Sequence, residues 1–295
     1  MEGYFWRITE ARSGIVLVAL CGVSLGEAGP WTAVALGASI DGFLRQAVAP
    51  SAWASPTGLG VSAGKELEAD EGQLRVELGA DAHLEVRFAD TSPWPPRAFG
   101  GLGPAQSIPG LGQYWHPHLL GARVEGHAVL GERTVELDGA TAYGEKNWGA
   151  SFPSRWWWGE AQGFEDPGLC VAFAGGVIER GPIGLPATSV VVHLGRDETL
   201  RLVPPLAVTD AHASDGTWRV RARSPRHRVE LEGDANGTDP HLLPVPIPAE
   251  RRVVNTAHQH LAGRMRVEVR SGRRVRLRAE STLAGLEVGP APERR

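Results

Sequence analysis

The sequence predicts an all-β protein made of many short antiparallel strands. Three observations carry this. Apolar positions alternate with polar ones, or form short runs bounded by Gly, Pro, Asp or Asn, which is the period of strands. The 38 Gly and 22 Pro are spread along the 295 residues, as turns between strands would be, and not gathered into a low-complexity tract. No long stretch repeats apolar residues at helical spacing. So many short strands favour closed barrels, because closure removes the exposed edges of a sheet. The pattern by itself leaves a tandem barrel and a large sandwich both open.

In chain order, the first hairpin is expected to turn at Ala11-Arg12-Ser13-Gly14, with residues 15–21 as its second strand. The same apolar run has the length of a secretory leader core, but Glu2 and Glu10 offset Arg7 and Arg12, so the hairpin reading is preferred. The run is far shorter than the roughly 20 residues of a membrane span. Residues 34–48 have room for one short helix. Residues 73–78 and 83–88 form a hairpin about Gly79-Ala80-Asp81, and residues 93–109, rich in Pro and Gly, form a long loop or lid. Residues 123–130 and 134–137 pair across Gly131-Glu132, and Asp138-Gly139 leads into the strand that follows. Further strands are expected at 155–162, 169–178, 187–194, 199–203, 217–223, 227–232, 254–261, 264–270 and 274–282, with a loop at 233–248.

Length allows two domains of ordinary size. A formal charge of −4 gives no reason to expect a nucleic-acid partner. Cys21 and Cys170 lie far apart in apolar strand-like runs and are read as buried free thiols in a reducing compartment. A soluble, cytoplasmic protein is the expectation. Arg264, Arg266 and Arg270, then Arg274, Arg276 and Arg278, alternate with apolar residues, which describes a solvated outer face over an apolar inner one. A weaker reading of that face is transient contact with an anionic membrane surface.

The most informative segment runs from Ala142 to Gly159, where Glu145, Lys146 and Asn147 stand beside Trp148, Trp156, Trp157 and Trp158. Tryptophan in this number implies burial or a ligand. A carboxyl buried among such rings has a raised pKa and holds its proton near neutral pH. An acid in an aromatic box is what a reaction through a carbocation requires. Alternation puts Tyr143, Glu145 and Asn147 on one face of their strand and Gly144, Lys146 and Trp148 on the other. In the next strand Trp156, Trp158, Glu160 and Gln162 share a face opposite Trp157, and near the N-terminus Glu2, Tyr4 and Trp6 share another. Blander readings stand beside these: strand-end charges for Glu145 and Lys146, a hydrophobic core for the tryptophans (Trp157 above all), and an anchor with a bulge for Trp148-Gly149. His116-x-His118 and His258-x-His260 each put two imidazoles on one face, but neither matches a metal-ligand spacing, and no metal site is assigned. There is no phosphate loop, Ser elbow or Cys-pair motif.

The run Tyr-x-Glu-Lys-Asn-Trp-Gly-x-x-Phe-Pro-x-x-Trp-x-Trp at 143–158 resembles the tocopherol cyclase family. Glu2-Gly3-Tyr4-Phe5-Trp6-Arg7 is similar to that family's opening Phe-Glu-Gly-Trp-Tyr-Phe-Arg, and Tyr114-Trp115-His116-Pro117-His118 to its Trp-x-Pro-His segment. More loosely, Tyr143-x-Glu145-x-Asn147-Trp148-Gly149 resembles a pattern of carotenoid hydratases, which share a two-barrel architecture with lipocalin-like pericyclases. The resemblance is ordered over roughly residues 1–290 and dense near 1–7 and 114–162. It implies two lipocalin-like β-barrels in tandem, residues 1–152 and 153–295, with the site near the inter-barrel region. It also implies an acid-catalysed, cofactor-free ring closure of a prenylated phenol, quinol or terpenoid, an apolar small molecule, through a tertiary carbocation. Glu145 would donate the proton, Asn147 orient the phenolic oxygen, and Glu160 or Glu2 accept its proton. Tyr4, Trp6, Tyr143, Lys146, Trp148, Trp156, Trp158 and Gln162 would bind the substrate, with Trp156 and Trp158 stabilising the cation. The family's pattern has Gln where Glu160 stands. A hydratase, a pericyclase or a non-catalytic carrier on the same scaffold are the alternatives.

Overall fold

The computed structural model describes residues 1–25, 29–180, 183–195, 198–214, 216–247 and 250–290. The first sheet has 12 antiparallel strands. They are β1 Glu2–Glu10, β2 Ile15–Ser24, β3 Trp31–Ala38, β4 Leu44–Ala49, β5 Ala52–Ala54 and β6 Val61–Ala63, followed by β7 Leu67–Ala69, β8 Gln73–Glu77, β9 Ala82–Pro93, β10 Gln113–Leu130, β11 Arg133–Glu136 and β12 Thr141–Gly149. The second sheet has 10. They are β13 Trp156–Ala161, β14 Leu169–Arg180, β15 Ile183–Leu194, β16 Thr199–Leu202 and β17 Val208–Ser214, followed by β18 Thr217–Arg223, β19 His227–Asp234, β20 His241–Ile247, β21 Arg252–Ser271 and β22 Arg274–Gly289.

Each sheet curls back on itself. In the first, β5 and β6 return against β2 and β3; in the second, β17 meets β15. The result is the all-β architecture of two lipocalin-like barrels in tandem. Among the described residues no helix is long and apolar enough to cross a membrane. Alternation sorts each wall strand into two faces. Tyr4, Trp6 and Ile8 of β1 join the core inside the first barrel, and Trp157, Val171, Phe173 and Leu286 join the core inside the second. A third buried cluster, with Phe5, Val18, Tyr143, Trp156, Trp158 and Leu261, lies between the barrels.

The expected hairpins at 11–14, 79–81 and 131–132 are present in register. Two local expectations need correction. The short helix in 34–48 is a hairpin of β3 and β4, turning through Asp41-Gly42, both at positive φ. That dipeptide is a strong turn signal, and it outweighs the apolar run around it. The loop at 233–248 contains strand β20, whose residues pair only with β21. Pro244 and Pro246 are tolerated because the strand lies at an edge, where no donor is needed on the outer side. Pro248 lies outside the described residues.

Several outward-facing arginines of β21 and β22 are matched by acids: Arg266 by Glu280 at 2.5 Å, Arg278 by Glu268 at 2.5 Å and Arg276 by Glu198 at 2.8 Å. Cys21 and Cys170 are buried free thiols.

Candidate active site

A cavity of about 470 Å³ opens between the barrels, within the size range of small-molecule sites. Its walls are mostly apolar, with Phe5, Leu20, Trp115, Trp156, Trp158 and Val245 prominent. The segment joining β9 to β10, expected as a loop or lid, supplies Leu102 and Leu111 to the lining. It is anchored by Trp94, whose Nε1 donates to the Phe99 carbonyl at 3.0 Å. At Gly103 its backbone sits so close to Val203 of the second barrel that a Cβ would lie 2.3 Å from Cγ2.

Glu145 reaches this cavity from β12. Its Oε2 accepts three hydrogen bonds: from Tyr143 Oη at 2.6 Å, Trp115 Nε1 at 2.8 Å and Trp158 Nε1 at 2.9 Å. Two donors come from the first barrel and one from the second, so the carboxyl sits on the seam between them. Burial raises its pKa above the ordinary value, and the three hydrogen bonds offset part of that rise. All three donors are neutral. Burial favours the neutral acid, and in that form Oε2 serves as the carbonyl oxygen and the proton sits on Oε1, for which no bond is seen among the described residues.

Asn147, two residues on, also lines the cavity, and its Oδ1 accepts from Gln113 Nε2 at 3.1 Å. Trp156 and Trp158 wall the cavity from β13. Trp157 turns the other way, into the core of the second barrel, and donates to Thr188 Oγ1 at 3.0 Å.

Other residues expected in the site lie elsewhere. Lys146 does not pair with Glu145. It points to the opposite face of β12 and meets Glu2 at 2.8 Å, with its ammonium 4.9 Å from the centre of the Tyr4 ring. Tyr4 Oη donates to the same Glu2 oxygen at 3.0 Å. Strand pairing explains this: Tyr4 stands opposite Lys146, and Phe5 opposite Glu145, so the two sets face opposite sides of one sheet. Glu2 and Tyr4 still touch the rim of the cavity, but the Glu2 carboxylate is tied to Lys146 and the Tyr4 hydroxyl to Glu2. Trp6 is in the core of the first barrel, edge-on to His118. Trp148 stacks on Tyr114 and is not part of the lining. His116 and His118 lie beside Lys146, and burial together with its charge holds them neutral, at about 4 and about 3.

Glu160 is wholly buried and does not line the cavity. Its Oε2 meets Arg7 Nη1 at 2.8 Å, and neither side chain is exposed. Arg7 also donates to Thr9 Oγ1 and to the carbonyls of Leu261 and Leu283. It is a clamp from the first barrel into three strands of the second, β13, β21 and β22. Burial pushes the Glu160 carboxyl up to about 7, against the pull of the guanidinium. Gln162, next on that face, donates to the carbonyls of Leu120 and Ala142 and ties the barrels together below the cavity. Sequence reasoning missed Trp115 and Arg7 as contributors, although both stood inside motifs already singled out. Their partners are 30 and 153 residues away, and nothing local signals such pairings.

Residues 109–290 match the model of a family described as tocopherol cyclase-like. A protein of Oryza sativa subsp. japonica named "Probable tocopherol cyclase, chloroplastic" is 26% identical over 199 residues, covering 63% of this chain and 41% of its own length. The chain thus spans about two fifths of that relative. Among solved structures, kievitone hydratase from Nectria haematococca superposes with a TM-score of 0.56 at 14% identity, over 97% of this chain and 88% of that one. CghA with Sch210972 superposes with a TM-score of 0.59 at 11% identity, over 100% of this chain and 89% of that one. At these identities the two structures speak to the fold.

Proposed function

Because the chain belongs to the tocopherol cyclase-like family, we propose that it closes a ring within an apolar prenylated phenol or quinol by acid catalysis. One observation carries the reading: Glu145 is a buried acid held on Oε2 by three neutral donors, at the wall of an aromatic cavity. The proton on Oε1 goes to the less substituted carbon of the prenyl double bond, leaving a tertiary cation. The indole faces of Trp156 and Trp158 stabilise that cation, by about 2 kcal/mol in a desolvated site. The phenolic oxygen, oriented by the Asn147 amide, then forms the new C–O bond as its O–H bond breaks and the proton is released, which balances the one that Glu145 gave. The product has the composition of the substrate, so the chemistry needs no redox partner.

The test is incubation of the purified protein with a panel of prenylated hydroquinols, followed by mass-resolved chromatography, with Glu145→Gln alongside. The expected product has unchanged mass and shifted retention, and falls by roughly 100-fold or more in the variant. A product heavier by one water would make the protein a hydratase. Tight binding with no turnover in either form would make it a carrier.

A further inference from the structure

Four carboxyl groups gather where the barrels meet: Glu2, Glu145, Glu160 and Glu287. Two are committed to cations, Glu2 to Lys146 and Glu160 to Arg7. Glu145 and Glu287 line the cavity, and among the described residues neither has a cationic partner. Glu287 comes from β22, the last strand. Its Oε1 accepts from Trp156 Nε1 at 2.6 Å and its Oε2 from Gln259 Nε2 at 2.8 Å.

The two carboxyls are therefore held alike, by indoles two residues apart on one face of β13, Trp158 for Glu145 and Trp156 for Glu287. That spacing is about 7 Å along a strand, room for the reacting carbons and oxygen of one substrate. The strand beneath is shaped for this. In Gly285-Leu286-Glu287-Val288-Gly289, the two glycines share a strand face with Glu287, which alone of the three lines the cavity. A Cβ on Gly289 would lie 1.9 Å from Trp156 Cζ2, and one on Gly285 would lie 3.1 Å from Trp158 Cζ3. The glycines let both indoles lie down on β22, with Glu287 standing between them.

We propose that Glu287 is the second catalytic carboxyl of this cavity, the base that takes the phenolic proton as the ring closes. The assignment rests on the cyclase reading and completes it, since Glu2 and Glu160, the acceptors expected from sequence, are neutralised by Lys146 and Arg7. The pair starts with one proton, on Glu145. Glu145 Oε1–H delivers it to the alkene, where a C–H bond forms as the π bond breaks. The phenolic oxygen attacks the cation, its O–H bond breaks, and the proton passes to Glu287. Glu145 ends ionised and Glu287 protonated, and the proton returns through solvent after product leaves. The groups facing Glu287 suit a one-proton pair. Burial raises its carboxyl, the charge of Glu145 across the cavity adds to the rise, and the bonds from Trp156 and Gln259 hold it back, which leaves it at about 7.

The test compares wild type, Glu287→Gln and Glu287→Asp on the prenylated hydroquinol that wild type converts, across pH. Glutamine fits the same space, because its Oε1 can accept from Trp156 and its Nε2 can donate to Gln259 Oε1 once the Gln259 amide turns over, an oxygen that has no partner among the described residues. Glu287→Gln is expected to keep its melting behaviour and KM, to lose roughly 100-fold in kcat, and to lose the acidic limb of the pH profile. A ring-fluorinated, more acidic phenol should narrow that gap, which a merely structural role would not do. Glu287→Asp should retain the acidic limb at reduced rate, and it carries the test alone if the glutamine variant does not fold. Wild-type kcat and pH profile in Glu287→Gln, or in Glu287→Asp where it stands alone, would overturn the assignment while leaving the cyclase reading intact. No product from wild type with any member of the panel would remove both.

Discussion

Glu145 and Glu160 are both buried, sit on facing strands of the two barrels, and differ in what holds them. Glu145 has two indoles and a phenol; Glu160 has a guanidinium. Neutral donors fix a carboxyl in place without fixing its charge, so the group remains free to give up a proton. A guanidinium pulls toward the ionised form, and what it provides here is attachment: Arg7 links β1 to β13, β21 and β22 at once. Buried carboxyls are thus used twice at one interface, as a reagent and as a rivet, and burial alone does not distinguish them. The partner does.

The largest effect expected from this contrast is on stability. Arg7→Met should cost about 3–5 kcal/mol of unfolding free energy, because it leaves Glu160 buried without its counter-charge. Adding Glu160→Gln to Arg7→Met should restore a good part of that loss, since no charge then remains buried at the site. Glu145→Gln, which removes no charge partner, should change the denaturant midpoint far less than Arg7→Met. If Arg7→Met unfolds at the wild-type midpoint, the rivet is not one, and the contrast collapses.

The strand pattern made much of this legible. Alternation along 143–148 put Glu145 and Asn147 together and away from Lys146, and alternation along 156–162 aligned Trp156, Trp158, Glu160 and Gln162. What alternation cannot give is the strand opposite. Glu160 shares a face with the two cavity tryptophans, yet Arg7, from 153 residues earlier, meets it first. Glu287 escaped for a different reason: the apolar run Leu283-Ala284 and the two flanking glycines blur the period just where the last strand enters the site, and the expected strand stopped at 282. The spaced glycines about a lone carboxylate were the available signal, and they have meaning only once the tryptophans of β13 are known to lie over them.

A smaller effect tests the neutrality of the cage. Tyr143 Oη makes the shortest of the three bonds to Glu145, at 2.6 Å, and each of those bonds favours the ionised carboxylate. Tyr143→Phe removes one of them and so raises the Glu145 pKa further. An acid must be protonated to act, and its activity falls as pH rises through its pKa. The basic limb of the kcat profile should therefore move to higher pH in Tyr143→Phe, with the acidic limb unmoved. A shift to lower pH would mean that the phenol stabilises the protonated acid, and the neutral cage would have to be read the other way round.

The smallest expected effect is at Gly3, and it separates binding from chemistry. Gly3 stands directly opposite Asn147 across β1 and β12, and a Cβ there would lie 2.5 Å from Asn147 Oδ1 and 2.9 Å from Nδ2. The amide lies flat over the glycine, which fixes its direction into the cavity beside Glu145. In Gly3→Ala the methyl group meets only the end of a side chain, so Asn147 swings aside at little cost to the fold. Glu145 and its three donors are untouched, because Phe5 and not Gly3 faces them on β1. The variant should therefore melt as wild type does and keep the position of both limbs of its pH profile. KM for the prenylated hydroquinol should rise a few-fold as the oxygen loses its guide, an effect of the order of one ordinary hydrogen bond. An unchanged KM with an intact fold would remove Asn147 from substrate positioning and leave Glu145 and its indoles to orient the substrate alone.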